Sequence, residues 1–276
     1  MWQVSSGAWD KYSANKGAYL TLLETFQSQE SPSLRRIDKD LARTFPGHLF
    51  FDSEQGRAKL RRVLVAYSWY NSSVGYCQSL NFVAGVLLLF MEEEECFWML
   101  QTIADNIACE YYTPGMVGLH VDLRLVDTLL QRMAPQLYSY LQQIDADISM
   151  ITMKWLLTLG IGCFPTELAL RILDIVFVEG IFGLLRVILA LFIENSAVLM
   201  QLTDGSEMLK VMDAAAQSAF DVEHVITVRI SLLSHIIVLY TNCLYLTLAA
   251  LTIIICMHMY MFRMNSLKSH LVIESL

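Results

Sequence analysis

The sequence predicts an all-α protein. Apolar residues recur three and four apart along most of the chain, no stretch alternates for long as a strand would, and glycine or proline punctuates the stripes. Trp9, Tyr12, Tyr19, Leu22, Leu23 and Phe26 form the first stripe, interrupted near Asn15-Lys16-Gly17. Ser31 is a good N-cap and Pro32 suits a first helical position, so a second helix is expected to start there, with Leu34, Ile37 and Leu41 on its buried side. Pro46-Gly47 takes the chain out of helix and leaves Arg43 on an exposed last turn.

Asp52 and Gln55 read as a capping box for the next helix, whose apolar face is Leu60, Val63, Leu64 and Tyr67. Its Arg57, Lys59, Arg61 and Arg62 are either a solvated surface or a basic rim that steers an acidic partner. Residues 78–91 are almost wholly apolar and too short to span a bilayer, as expected of a buried helix. Glu92 to Glu95 then load a helix start, where negative charge suits the dipole, and read as solvated. Phe97, Leu100, Ile103 and Ile107 continue that helix as a core stripe, and Tyr112-Thr113-Pro114-Gly115 breaks it.

Amphipathic helices follow over 119–130 and 148–159, the latter around Trp155 and ended by Cys163-Phe164-Pro165. Helices over 168–178 and 181–193 have little polar face and part at Glu179-Gly180. Arg186 and Glu194 mark the second of these as a core helix rather than a membrane span. Gly160 and Gly162 lack the third glycine and the preceding strand of a dinucleotide site, and read as relaxing a helix end.

Two short clusters stand out for chemistry. The first is Ile37-Asp38-Lys39-Asp40-Leu41-Ala42-Arg43, in which Asp40 and Arg43 are spaced to pair on one helix face. An arginine held by a carboxylate is a fixed, always-charged fork that can be offered to a partner. The second is Gly75-Tyr76-Cys77-Gln78-Ser79-Leu80-Asn81, a tight turn opening a helix and carrying an amide that donates and accepts. Taken singly, Arg43 reads as an ordinary surface ion pair and Gln78 as a polar helix start.

Together they resemble the I-x-x-D-x-x-R and Y-x-Q motifs of TBC-domain proteins, the GTPase-activating proteins of Rab GTPases. Ile37, Asp40 and Arg43 match the first motif; Tyr76 and Gln78 match the second. Trp155-Leu156-Leu157-Thr158-Leu159, Phe164-Pro165 and Leu170-Arg171-Ile172-Leu173-Asp174 resemble the later part of that domain, and the likeness covers roughly residues 2–220. Leu173 stands where the family commonly has tryptophan, and Ser79 where it often has glycine, a change expected to crowd the approach to the nucleotide. In the family an arginine usually precedes a tryptophan near the front. With Trp2 as that tryptophan, the arginine falls before Met1, so the sequence looks clipped and the first helix of the fold is expected to be missing.

The resemblance implies a two-lobed helical domain over 1–225, its lobes meeting near 114, that stimulates GTP hydrolysis by a GTP-bound Rab. Arg43 would be the arginine finger and Gln78 would orient the attacking water, both in trans. Asp40 would hold Arg43 extended, Tyr76 and Asn81 would shape the loop, and Ile37 would support them. GTP and Mg²⁺ would belong to the partner; this chain has no G-x-x-x-x-G-K-[ST] loop. Work in membrane trafficking at cytoplasmic faces of endomembranes would follow. The alternative is a catalytically impaired TBC-like module that binds Rabs or scaffolds without turnover.

The net charge of −8 argues against a nucleic-acid partner. The six histidines show no H-E-x-x-H spacing, which argues against a metal site, and no G-x-S-x-G elbow supports a serine hydrolase. Cys77, Cys96, Cys109, Cys163, Cys243 and Cys256 show no C-x-x-C spacing, and the start lacks a signal peptide's basic and apolar regions, so a reducing cytosolic compartment is expected. Hydrophobic residues make up 55% of the chain, and much of that excess lies beyond residue 225. Residues 230–262 contain no Asp, Glu, Lys or Arg, long enough against the roughly 20 residues a spanning helix needs. The tail, 226–276, reads either as a membrane anchor with its helix near 236–262 or as a non-native C-terminus. A third possibility is an integral membrane protein whose helices mostly sit in lipid.

Overall fold

The computed structural model describes residues 1–26, 29 and 31–219. They form helices throughout, with no strand among them: α1 Trp2–Ser6, α2 Ala8–Ala14, α3 Ala18–Thr25, α4 Leu34–Leu41, α5 Leu49–Asp52, α6 Glu54–Tyr70, α7 Leu80–Leu88 and α8 Glu93–Thr102. A π-helical turn, Ile103–Ile107, prolongs α8. Beyond the expected break come α9 Val117–Met133, α10 Pro135–Gln143, α11 Ile148–Leu157, α12 Thr166–Glu179, α13 Ile181–Glu194, α14 Ser196–Leu199 and α15 Glu207–Gln217. The candidate membrane helix at 236–262 lies outside the described residues. Among the described residues no helix is long and apolar enough to cross a membrane.

Two cores organise these helices. In the first, α6 packs on α4, α5, α7 and α8, burying Leu60, Val63, Leu64 and Tyr67 as the stripe predicts. In the second, α13 lies against α9, α12 and α15, with Leu184, Ile188 and Phe192 fully buried. Trp155 of α11 is enclosed there, its ring 5.5 Å from Phe164 and 6.3 Å from Phe192. Arg186 is buried in α13 and ion-paired with Glu179, so its charge is compensated inside the core. Trp2 of α1 joins the sets: its indole donates to Asp174 Oδ1 at 2.7 Å, and its ring meets Phe90 and Phe177 at 5.0 and 5.3 Å.

Several local expectations give way to tertiary contacts. The helix expected at Ser31-Pro32 starts at Leu34, because the Ser31 hydroxyl is bonded to Ser68 Oγ of α6 at 2.8 Å and accepts the Ser33 N–H. The cap of α6 is Ser53, whose Oγ accepts the Gly56 N–H, rather than Asp52, which ends α5 and accepts the Gly47 N–H. Residues 131–147, unassigned in the sequence reading, contain α10, opened by Pro135 at its first position and buried through Leu137 and Leu141.

The basic rim is not free to steer a partner. Lys59 pairs with Glu92, Arg61 with Asp38 and Arg62 with Glu93, while Arg57 bonds the carbonyls of Phe51 and Asp52. The glutamate run is likewise more than a solvated start. Glu92 and Glu95 form the capping box of α8, Glu94 accepts the Gly17 N–H, and Glu93 takes Arg62 and the Tyr19 hydroxyl.

Candidate functional site

Asp40 is the last polar residue inside α4, and it is buried beneath Arg43, which lies just past the helix end rather than on its last turn. Arg43 Nε and Nη2 both reach Asp40 Oδ1, at 2.8 and 2.7 Å. The arginine side chain keeps 51% of its surface exposed, against 8% for the aspartate. The other carboxylate oxygen, Oδ2, accepts the Tyr76 hydroxyl at 2.5 Å. Burial first, and then this bond to Asp40, push the Tyr76 phenol far above its ordinary range, so it stays a donor.

Asn81 closes the circuit. Its Oδ1 accepts the Ser79 N–H at 3.2 Å and stands 3.2 Å from the Tyr76 hydroxyl. Its Nδ2 donates to Thr44 Oγ1 at 2.8 Å, and Thr44 donates in turn to the Asp40 carbonyl at 2.7 Å. One buried network therefore joins the end of α4 to the start of α7, and Ile37 is fully buried one helical turn before Asp40. Thr44 was not singled out from the sequence; its place four residues after Asp40, where a threonine hydroxyl can bond back to a helix carbonyl, was the available signal.

Packing fixes the same junction. Phe45, with φ +49°, lays its ring 5.5 Å from Phe51 and 5.6 Å from Phe82. A Cβ at Gly85 would come within 2.8 Å of that ring, so only glycine lets α7 pass so close to the Arg43 segment.

Gln78 is exposed and makes no side-chain hydrogen bond among the described residues. It occupies the second place of a turn closed by Leu80 N–H to Cys77 O at 3.3 Å. Ser79, third in the turn, has φ +95° and ψ −29°, a conformation that favours glycine. Ser79 is 8% exposed, so little of its hydroxymethyl reaches the surface; the cost of this serine is backbone strain rather than the expected crowding. Burial raises the Cys77 thiol, which leaves it a poor nucleophile.

The structure thus brings Ile37, Asp40, Arg43, Tyr76 and Asn81 together with Thr44, and leaves Gln78 exposed at the adjoining turn. The family profile of the Rab-GTPase-TBC domain matches residues 1–200. This chain belongs to that family. Growth hormone-regulated TBC protein 1-A of Danio rerio is 37% identical over 196 residues, 69% of this chain and 54% of that protein. The GTPase-activating protein gyp2 of Schizosaccharomyces pombe is 34% identical over 216 residues, 76% of this chain and 29% of that protein. The solved Chlamydomonas flagellar RabGAP TBC domain superposes with a TM-score of 0.75 at 32% identity, covering 85% of this chain and 78% of that one. The chain spans about half or less of the length of these two curated relatives.

The all-α TBC fold expected from the sequence is therefore borne out. In this TBC domain Trp2 begins α1, which packs on α2, α8 and α12. Leu173 is buried in α12, so its departure from the family's tryptophan is a matter of packing.

Proposed function

We propose that this TBC domain is a GTPase-activating module for Rab-type GTPases, with Arg43 and Gln78 acting in trans. Hydrolysis on such a partner is limited by the position of the attacking water and by charge that develops on the transferred phosphoryl group. An inserted arginine is worth about 10³–10⁵ in rate, or roughly 4–7 kcal/mol of barrier. Arg43 supplies that charge, and Gln78 orients the water with its amide. GTP and Mg²⁺ remain with the Rab.

The observation that carries this reading is the division of one buried carboxylate between two motifs. Asp40 Oδ1 holds Arg43 and Oδ2 holds Tyr76, so two segments 33 residues apart, counting from Arg43 to Tyr76, form a single support for two exposed groups. Asp40 is 8% exposed beneath an arginine side chain that is 51% exposed, so the support is buried while the cation stays accessible.

The test is single-turnover GTP hydrolysis by a panel of GTP-loaded Rabs with the full chain added. Stimulation of at least one Rab is expected, lost in Arg43→Ala and strongly reduced in Gln78→Ala. Undiminished stimulation by the arginine variant overturns the reading. Binding to Rabs without any rate increase overturns it in favour of a non-catalytic binding module.

A further inference from the structure

The segment 71–81 that carries Gln78 is tied to the Asp40 network at Tyr76 and at Asn81, its far end. Its near end is held by a second polar centre. Asn71 follows the end of α6, and its two oxygens serve the segment leading to Gln78. Its carbonyl accepts the Gly75 N–H at 2.8 Å. Its Oδ1 accepts the Ser73 hydroxyl at 2.6 Å and the Val74 N–H at 3.3 Å. Its Nδ2 donates to Asp105 Oδ1 at 2.9 Å.

Asp105 comes from the π-helical turn, where the Ala108 N–H reaches back five residues to the Ile103 carbonyl. Such turns insert a residue into a helix, disturb its side-chain register and are frequent at functional sites. Asp105 Oδ1 also accepts the Tyr67 hydroxyl at 2.8 Å, and Oδ2 accepts Gln101 Nε2 at 2.8 Å. Burial first, and then the Asp105 charge, raise the Tyr67 phenol far above its ordinary range, which keeps it a donor. Gln101 Oε1 in turn accepts Lys11 Nζ at 2.6 Å. The carboxylate therefore has two arms, one to the Asn71 loop and one to the body of the domain.

We infer that Asp105 is a positioning residue for the Gln78 turn, acting through Asn71. The Asn71 arm sets the path of residues 71–75, and Gly75, with φ +59°, hands that path on to Tyr76 and Gln78. The Gln101 arm leads away from the loop, to Lys11 of α2. The catalytic part of this inference rests on the reading of Gln78 under Proposed function; the structural part does not.

The experiment compares Asp105→Ala, Asp105→Asn, Asn71→Ser and Gln101→Met in the full chain. Small misplacement of a reacting group can cost up to about 100-fold, so Asp105→Ala and Asn71→Ser are expected to lower kcat for a responsive GTP-loaded Rab about tenfold, with KM changed less than about twofold. Asp105→Asn, which keeps an acceptor for Asn71, recovers most of the rate. Gln101→Met lowers Tm and leaves kcat unchanged. Amide hydrogen exchange in the partner-free protein is the second readout. Asp105→Ala and Asn71→Ser should speed exchange at Val74 and Gly75 while Thr44 stays unchanged, and Gln101→Met should not.

Exchange at Val74 and Gly75 that is unaltered, or raised equally by Gln101→Met, overturns the inference. So does a kcat loss shared equally by all four variants. If Asp105→Ala does not fold, Asp105→Ser, which withdraws the acceptor of Asn71 Nδ2 and leaves the Asn71 bonds to Ser73 and Val74 in place, decides in its stead. If the unmodified chain stimulates no Rab, the functional reading fails, and the exchange measurement still decides whether Asp105 sets the loop.

Discussion

Two arginine–carboxylate pairs lie in the same half of the sequence, and they are built differently. Arg62 directs Nε and Nη2 to separate oxygens of Glu93, at 2.8 and 2.6 Å, so the fork is closed on its partner. Arg43 directs the same two nitrogens to a single oxygen of Asp40. That leaves the second Asp40 oxygen for Tyr76 of the second motif. The closed pair fastens α6 to α8, with Tyr19 of α3 donating to the same carboxylate. The open pair ties the guanidinium to a carboxylate shared with the segment that leads to Gln78. The difference separates a pair that fastens two helices from one that joins two motifs, and spacing in the sequence pairs only Asp40 with Arg43.

Exchanging arginine for lysine at each place is the strongest way to break this comparison. Lysine keeps the charge and loses the planar fork. At position 43, Arg43→Lys is expected to lower Rab stimulation by at least about 100-fold, since an arginine finger contributes about 10³–10⁵. At position 62, Arg62→Lys is expected to leave the rate within twofold and to cost about 1 kcal/mol, the upper range for surface pairs, because Glu93 is mostly covered while Arg62 is partly exposed. Single-turnover rates and denaturant midpoints measure both. Equal effects of the two substitutions on rate would erase the distinction.

Tyr76→Phe probes the open pair from beneath. It removes the donor to Asp40 Oδ2 and leaves a buried carboxylate oxygen unsatisfied, which costs about 1–3 kcal/mol. The rate should fall about tenfold as the Arg43 and Gln78 segments lose their common support. Urea unfolding and kcat on the same preparation check the two effects. Stability that falls while the rate holds would show that the support is structural only.

The local half of this site was legible in the sequence and the long-range half was not. Asp40 and Arg43 are three apart on a helix, and spacing alone pairs them. Nothing in the spacing of residues joins Asp40 to Tyr76, or Asn71 to Asp105; resemblance supplied the two motifs, and both bonds come only from the folded chain. The basic residues of α6 illustrate the same limit, because Asp38, Glu92 and Glu93 come from other elements that sequence periodicity cannot bring alongside. Ser31 shows a local rule losing outright: its hydroxyl is an acceptable cap, but Ser68 engages it and the helix begins three residues later. Pro135 shows the reverse, a local signal that was present and unread.

The closed pair also carries a pH signature. Burial pushes the Glu93 carboxyl up, but the hydrogen bonds from Arg62 and Tyr19, aided by the Arg62 charge, outweigh it and hold the carboxyl below the ordinary glutamate range. Protons therefore bind the unfolded form more readily than the folded one. The contribution is fully present above the unfolded glutamate value and is lost as pH falls through the folded one. Glu93→Gln should accordingly lower stability at neutral pH by about 1 kcal/mol and flatten its fall below about pH 5, read from urea midpoints across pH. An unchanged acid limb would remove Glu93 from the closed pair.

The smallest effect is expected beside the open pair, at Ser79. A non-glycine residue held at φ +95° bears a left-handed strain of about 1–2 kcal/mol, offset in part because glycine loses more backbone freedom on folding. Ser79→Gly should therefore raise stability by less than about 1 kcal/mol. Because the serine is buried rather than facing a partner, the same change should leave KM within twofold. A large gain in kcat or a fall in KM with unchanged stability would instead place the hydroxymethyl in the partner's path. Strain kept at a turn whose neighbour is the exposed Gln78 is then a property of the backbone that presents the amide, and that backbone is the part of the site Asp40, Asn81 and Asn71 hold from different sides.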